Sequence, residues 1–222
     1  MTAVSVPLPS GEVSVTATFE EPDRVHAVAA VAHGAGAGMD HPFLVGFAAA
    51  LRDAGCATVR FSFPYSEAGR RMPGPPAHAT ATWQAVSAAV QQRYPGVPIV
   101  ATGKSYGGRM ASMAAAQGLI DPAALVYLGY PLHPPGRPEK LRAEHLPDVT
   151  APQLFLSGTS DPFVQPVEML DAAVARCRDA QVHWIEGAGH SFEVTGARRS
   201  PFEVGAWVAD PVVSWIATRW GG

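Results

Sequence analysis

Residues Val97–Gly108 read VPIVATGKSYGG, and this stretch decides the fold. Its first half is small and β-branched, the composition of a strand buried on both faces. It runs directly into Gly103-Lys104-Ser105-Tyr106-Gly107, and a helix-forming, alanine-rich stretch follows without a spacer. The pentapeptide is G-x-S-x-G in a strand–turn–helix setting. Crowding explains both glycines. On so sharp a turn, the positions two before and two after the serine pack too closely for side chains. The turn lifts the Ser105 hydroxyl above the sheet and sets it at a helix N-terminus, where free backbone N–H groups favour developing negative charge. The plainer role for such a serine is a helix N-cap. A phosphate-loop reading of Gly103-Lys104-Ser105 fails, because its first glycine would have to stand at Pro98.

Outward from this turn, short apolar runs alternate with Ala-rich segments, the order of a mostly parallel sheet with crossover helices. The pattern predicts strands at Glu12–Phe19, Val25–Ala32, Ala57–Phe63, Val97–Thr102, Ala124–Tyr130, Gln153–Ser157 and Val182–Glu186. It predicts helices at Pro42–Ala54, from about Ala79 to Tyr94, at Ser105–Gln117 and at Pro166–Arg178. A closing helix is expected to start at an Asp210 N-cap with Pro211 in its first turn, and to run through Arg219. Pro64–Pro76 reads as a loop, and Pro138–Leu146 as room for one small helix. With neither repeat nor linker, residues 1–222 are expected to form one α/β domain.

Composition narrows the function. Of 222 residues, 47% are hydrophobic and 16% charged, which is globular and not disordered. Sixteen basic against 19 acidic residues give a net charge of −3, no footprint for nucleic acid or an anionic membrane. No run of about 18 apolar residues predicts a membrane span. The opening MTAVSVPLPSGE lacks the basic and apolar regions of a signal peptide, so a cytoplasmic location is expected. Cys56 and Cys177 lie far apart and form neither a disulfide framework nor a zinc cluster. No metal or organic cofactor is called for. Among the basic residues only Lys104 and Lys140 are lysines, asparagine is absent and alanine abundant, a bias that matches GC-rich bacterial genomes.

A serine hydroxyl becomes a good nucleophile only when a base takes its proton and an acid orients that base. Asp161 and His190 follow Ser105 in that order, each just past the carboxyl end of a predicted strand. Pro162 fixes the turn after the aspartate, and Gly187 and Gly189 let the His190 loop swing towards the serine. The competing acids Asp121, Asp148, Asp171 and Asp179 read as caps or solvated faces. His26 and His183 sit within or beside strands; His78, His133 and His145 occupy polar loops. His33 opens a glycine loop and is expected to bond backbone there. An oxyanion would be bound by the Tyr106 N–H and by an N–H from His33-Gly34-Ala35-Gly36-Ala37-Gly38, with Ala35 preferred to Gly36. Arg70 and Arg71 follow the third predicted strand at the same edge. They are candidates to bind a substrate carboxylate or phosphate, or else to pair with Glu67 on the surface. Lys104 is expected to point away from the serine.

Together these residues resemble the α/β-hydrolase superfamily over nearly the whole chain. HGAGAGMDHPF, FPYSEAGRR, GKSYGGRM and YPLHPPGRPEKLRAEHL are similar to the small, cap-less dienelactone-hydrolase-like group, especially its KANL/Tex-type branch. The resemblance implies an eight-stranded sheet, one strand more than the seven placed above. It also implies no cap domain, since Pro131–Ala151 is too short for a helical lid. Dienelactone hydrolases carry cysteine where this chain has Ser105, so their substrate does not carry over. The expectation is a serine hydrolase of small, accessible carboxylic esters or thioesters, with no nucleic-acid or membrane partner. An interaction module on the same fold, or an acyltransferase using the same three residues, are the alternatives.

Overall fold

In the computed structural model, which describes residues 1–220, the apolar runs become eight strands. These are β1 (Thr2–Leu8), β2 (Gly11–Glu20), β3 (Ala27–Ala32), β4 (Cys56–Phe61), β5 (Ile99–Lys104), β6 (Ala124–Leu128), β7 (Gln153–Gly158) and β8 (Ala180–Ile185). They form one sheet in the order β1-β2-β4-β3-β5-β6-β7-β8. From β4 to β8 every pairing is parallel; β2 runs antiparallel to β1 and β4. The helices are α1 (Pro42–Asp53), α2 (Pro64–Glu67), α3 (Pro76–Arg93), α4 (Tyr106–Ala116), α5 (Glu168–Val174) and α6 (Pro201–Trp220). This is the doubly covered parallel sheet of an α/β-hydrolase fold, and only a 3₁₀ turn at Leu146–Asp148 interrupts the connection from β6 to β7. Among the described residues, no helix is long and apolar enough to cross a membrane.

The unbroken apolar strands follow from burial on two faces. In β3, Val28, Ala30 and Ala32 enter the core shared with α3, α4 and α5. Ala27, Ala29 and Val31 enter the opposite core, where Phe47 and Leu51 of α1 meet Val208, Val212 and Ile216 of α6.

The sheet holds the eighth strand that the resemblance implies, and three expectations need correction, the first of them the Pro64–Pro76 loop, which opens with the short helix α2. The eighth strand is β1, which precedes the Glu12–Phe19 run and pairs with it through Val4↔Val15 and Val6↔Val13. Its buried Val4 and Val6 alternate with exposed residues, and its place at the sheet edge tolerates Pro7, which has no N–H to give. Pro138–Leu146 forms no helix. The Arg142 N–H donates to the Leu132 carbonyl, and the Arg142 carbonyl accepts from the Tyr130 hydroxyl, so tertiary partners use the groups a helix would need. The closing helix starts at Pro201, ten residues before Pro211, which lies in its interior. Ser200 and Glu203 cap it reciprocally. The Glu203 carboxylate accepts from the Ser200 N–H at 2.7 Å, and the Ser200 hydroxyl accepts from the Glu203 N–H at 3.3 Å. An interior proline costs about 3 kcal/mol. Burial of Val204, Val208, Val212 and Ile216 on both sides of it offsets that cost.

The α1–α6 contact depends on two missing side chains. A Cβ at Gly205 would lie 1.9 Å from the Phe43 carbonyl oxygen, and one at Gly46 would lie 2.0 Å from that of Phe202. Gly205→Ala is therefore expected to force the helices apart and to lower stability by about 1–3 kcal/mol in urea denaturation. Gly74→Ala, whose Cβ would meet only His78 Nδ1 at an ordinary 3.6 Å, should change stability by less than about 0.5 kcal/mol.

Candidate active site

The end of β5 carries Ser105 in a conformation that few non-glycine residues adopt, φ 49° and ψ −112°. Such a backbone costs about 1–3 kcal/mol and persists only where its surroundings hold it. Here they do. The Ser105 N–H donates to the Leu128 carbonyl at 3.0 Å, and the Ser105 carbonyl accepts from the Arg109 N–H at 3.1 Å. A Cβ at Gly103 would lie 2.5 Å from the Gly108 nitrogen, and one at Gly107 would lie 2.6 Å from the His33 carbonyl oxygen. The two glycines of the motif are required by contact.

Two further strand ends supply the partners of the hydroxyl. After β7, Asp161 is fully buried. Its Oδ1 accepts from the Phe163 N–H at 2.8 Å, and its Oδ2 lies 2.7 Å from His190 Nδ1. After β8, the loop brings His190 Nε2 to 2.9 Å from Ser105 Oγ. With Nδ1–H donating to the carboxylate, Nε2 is left as the acceptor for the serine proton. Burial lowers the His190 pKa below the usual histidine value. The hydrogen bond to Asp161 works against that shift, and the Lys104 charge adds to it.

The loop after β3 completes the arrangement. The His33 ring is wholly buried, and its Nε2 accepts from the Phe63 N–H at 3.1 Å. Nδ1–H therefore donates to the Gly34 carbonyl at 2.9 Å, and burial keeps the ring neutral by lowering its pKa. This braces the loop so closely that a Cβ at Gly34 would lie 3.7 Å from Ser105 Cβ. Ala35, Tyr106, Ser105 and His190 all line one cavity of about 700 Å³.

These four, named from the sequence, are brought to one cavity together with cations that the sequence reading did not place there. Arg70 and Arg71 are exposed and do not line the cavity. The Arg70 N–H closes a turn onto the Tyr65 carbonyl at 2.8 Å and Gly69 takes φ 69°, so the chain turns sharply just after α2. Glu67 accepts from the Thr16 N–H at 2.7 Å and pairs with neither arginine. Arg109, Arg142 and Arg199 line the cavity in their place. Arg109 had a readable signal, since it stands one helical turn after Ser105 and so shares its face. Arg142 and Arg199 lie in irregular segments, where no periodicity marks direction. Lys104, expected to point away from the serine, is among the cavity residues, and its Nζ donates to the His190 backbone carbonyl at 2.7 Å. Among the described residues, no group of three or more His, Cys, Asp or Glu side chains is arranged to hold a metal ion.

Known proteins share this architecture. The family described as an alpha/beta hydrolase domain matches residues 25–208. A carboxymethylenebutenolidase of Pseudomonas putida is 33% identical over 115 residues, which is 51% of this chain and 45% of that protein. The aligned region is thus less than half of the relative's length. Among solved structures, a dienelactone hydrolase from Anabaena variabilis superposes with a TM-score of 0.76 at 23% identity, covering 98% of this chain and 96% of the other. A serine hydrolase without lid from Xanthomonas campestris gives 0.71 at 21% identity, over 99% and 94% of the two chains.

The His190 surroundings set a measurable titration. Its imidazole is expected to titrate below the ordinary value of about 6.5 in a histidine NMR titration. Asp161→Asn removes the interaction that favours the protonated ring, so it should lower the midpoint further. A wild-type midpoint above 6.5 would contradict this account of the site.

Proposed function

The chain belongs to the α/β-hydrolase family and is dienelactone-hydrolase-like, and from that premise we propose that it hydrolyses small carboxylic esters through an acyl-enzyme on Ser105. The observation that carries this reading is the hydrogen-bonded chain from Ser105 Oγ through the His190 ring to buried Asp161. In the proposal, Oγ attacks the ester carbonyl while His190 Nε2 takes its proton. Asp161 keeps Nδ1–H in place and stabilises the imidazolium that forms. The oxyanion accepts from the backbone N–H groups of Tyr106 and Ala35. As the intermediate collapses, the imidazolium returns the proton to the leaving alcohol. Water then repeats the sequence on the acyl-enzyme, with His190 again the base. The reaction so written needs no metal or organic cofactor. It takes residues 1–222 as one catalytic domain, and we place it in the cytoplasm, a reading supported by free Cys56 and Cys177.

The cavity wall supports an acidic substrate. Lys104, Arg109, Arg142 and Arg199 line it, against Glu193 as the one carboxylate among the described lining residues. Neither Arg109 nor Arg142 forms a salt bridge among the described residues, and burial, with a smaller contribution from Arg109 repulsion, lowers the Arg142 pKa. An ester carrying a carboxylate or phosphate would relieve that repulsion, and guanidinium groups bind such oxyanions with charge-assisted hydrogen bonds.

Intact-mass labelling with a fluorophosphonate tests the chemistry. Wild type is expected to take up one equivalent quickly and Ser105→Ala none; a folded wild type that stays unlabelled would overturn the reading. Arg109→Met and Arg142→Met test the substrate class. Each should raise KM about 10-fold or more for a monosuccinate aryl ester while leaving the matching acetate unchanged, as for loss of a charged hydrogen bond. Equal losses on both esters would remove the acidic-substrate assignment.

A further inference from the structure

Ser105 and His190 stand on separate parts of the sheet, because β6 and β7 lie between β5 and β8. Their mutual geometry depends on how the loop after β8 is seated. A misplacement of about 1 Å in such a pair can cost about 10²-fold in rate. Besides the Ser105–His190 hydrogen bond, a second link joins the same two segments, from the neighbouring residue. Lys104 Nζ donates to the His190 backbone carbonyl at 2.7 Å. The ammonium also lies 5.4 Å from the centre of the Phe192 ring, which stacks on Phe43 at 5.9 Å. Phe192 adopts φ 64°, so its side chain is held under constraint where it meets the lysine. Gly129 gives both groups room. A Cβ there would lie 3.2 Å from Lys104 Nζ and 3.4 Å from His190 Cε1.

We propose that Lys104 is a positioning residue, an ammonium tether that seats the His190 loop on the strand carrying Ser105. The assignment rests on the esterase reading above for its catalytic meaning. The tether depends on charge. The titratable groups facing Lys104 are His190, Asp161 and Glu193, and no carboxylate lies within salt-bridge distance of Nζ. Burial pulls the Lys104 pKa down to about 8, while the two carboxylates act more weakly in the opposite direction. The charge that strengthens this hydrogen bond is therefore present below about pH 8 and is lost as pH rises through that value, leaving the weaker neutral amine as donor. While charged it also disfavours protonation of the adjacent imidazole, which keeps His190 available as a base.

Lys104→Met and Lys104→Arg test this with a short acetate ester, from about pH 5 to 10, alongside the His190 NMR titration. In wild type, kcat should fall on the alkaline side with a midpoint near 8. The methionine variant loses the tether and the charge. Its kcat should fall about 10- to 100-fold with KM little changed, its alkaline limb should vanish, and the His190 midpoint should rise. The arginine variant keeps a donor that stays charged, so it should recover most of kcat and hold it above pH 9. An unchanged pH profile and His190 midpoint in a folded methionine variant would overturn the assignment, and so would a rate loss matched by the unfolded fraction in urea. The His190 midpoint needs no turnover. If wild-type Ser105 resists the fluorophosphonate, the esterase reading fails while the tether is still judged on the titration.

Discussion

The backbone of Ser105 is the constraint from which most of the structure follows. A φ of 49° on a serine is held only because its neighbours leave no alternative. Gly103, Gly107 and Gly108 press on one another and on the end of β3, where Ala32 Cβ would be 2.9 Å from a Cβ at Gly107. A larger residue than alanine at position 32 would meet the elbow, and a larger one than glycine at 107 would meet the His33 carbonyl. The small side chain of Ala32 at the end of β3 is thus a requirement of the turn. The strands compensate through their position at the sheet centre, where every residue of β3 is buried. A cost of about 1–3 kcal/mol is small beside the burial of even one or two such strands.

Charge imposes the second constraint. A carboxylate as buried as Asp161 is tolerated only when its oxygens are satisfied, and each of them has a donor. The imidazole beside it feels two opposing effects. Desolvation outweighs the carboxylate, so the ring stays neutral where a solvent-exposed Asp–His pair would hold a proton more readily. Lys104 adds to the same side of that balance. A neutral ring with its free nitrogen aimed at a hydroxyl is what general base chemistry requires.

The sequence disclosed the parts of the site that sit on regular elements. G-x-S-x-G, Asp161 before a proline and His190 after two glycines each follow a strand of the sheet, and strand ends fix direction within a residue or two. The fold was legible for the same reason, because period and punctuation agree through most of the chain. Misreadings arose where tertiary contacts outweigh local preference. Pro211 signals a helix start, but the apolar face continues across it, and the real start at Ser200-Pro201-Phe202-Glu203 is a capping box in a polar stretch. The β1 strand is edge-bound and contains Pro7, so its two buried valines carry little weight on their own. Lys104 was unreadable in principle, because its direction is set by a carbonyl 86 residues away.

Two of the missed residues share a place in the architecture. The proposed chemical groups come from β5, β7 and β8, whose ends are fixed by the sheet. The cavity cations Arg142 and Arg199 come from the segment after β6 and from the approach to α6. Pro201 and Val204 of α6 also line the cavity, so the long C-terminal helix is a wall of the site as well as a cover for the sheet. Its close approach to α1 through Gly46 and Gly205 then sets where that wall stands. Reactivity and selectivity are carried by different kinds of structure. The first is tied to backbone strain that permits almost no substitution. The second, as proposed, rests on long side chains, of which Arg142 and Arg199 lie in loops and can be exchanged without disturbing the elbow. Of the cavity cations, Arg142 and Arg199 belong to loops while Lys104 and Arg109 flank the elbow on β5 and α4, so the proposed preference for acidic esters rests on both kinds of structure.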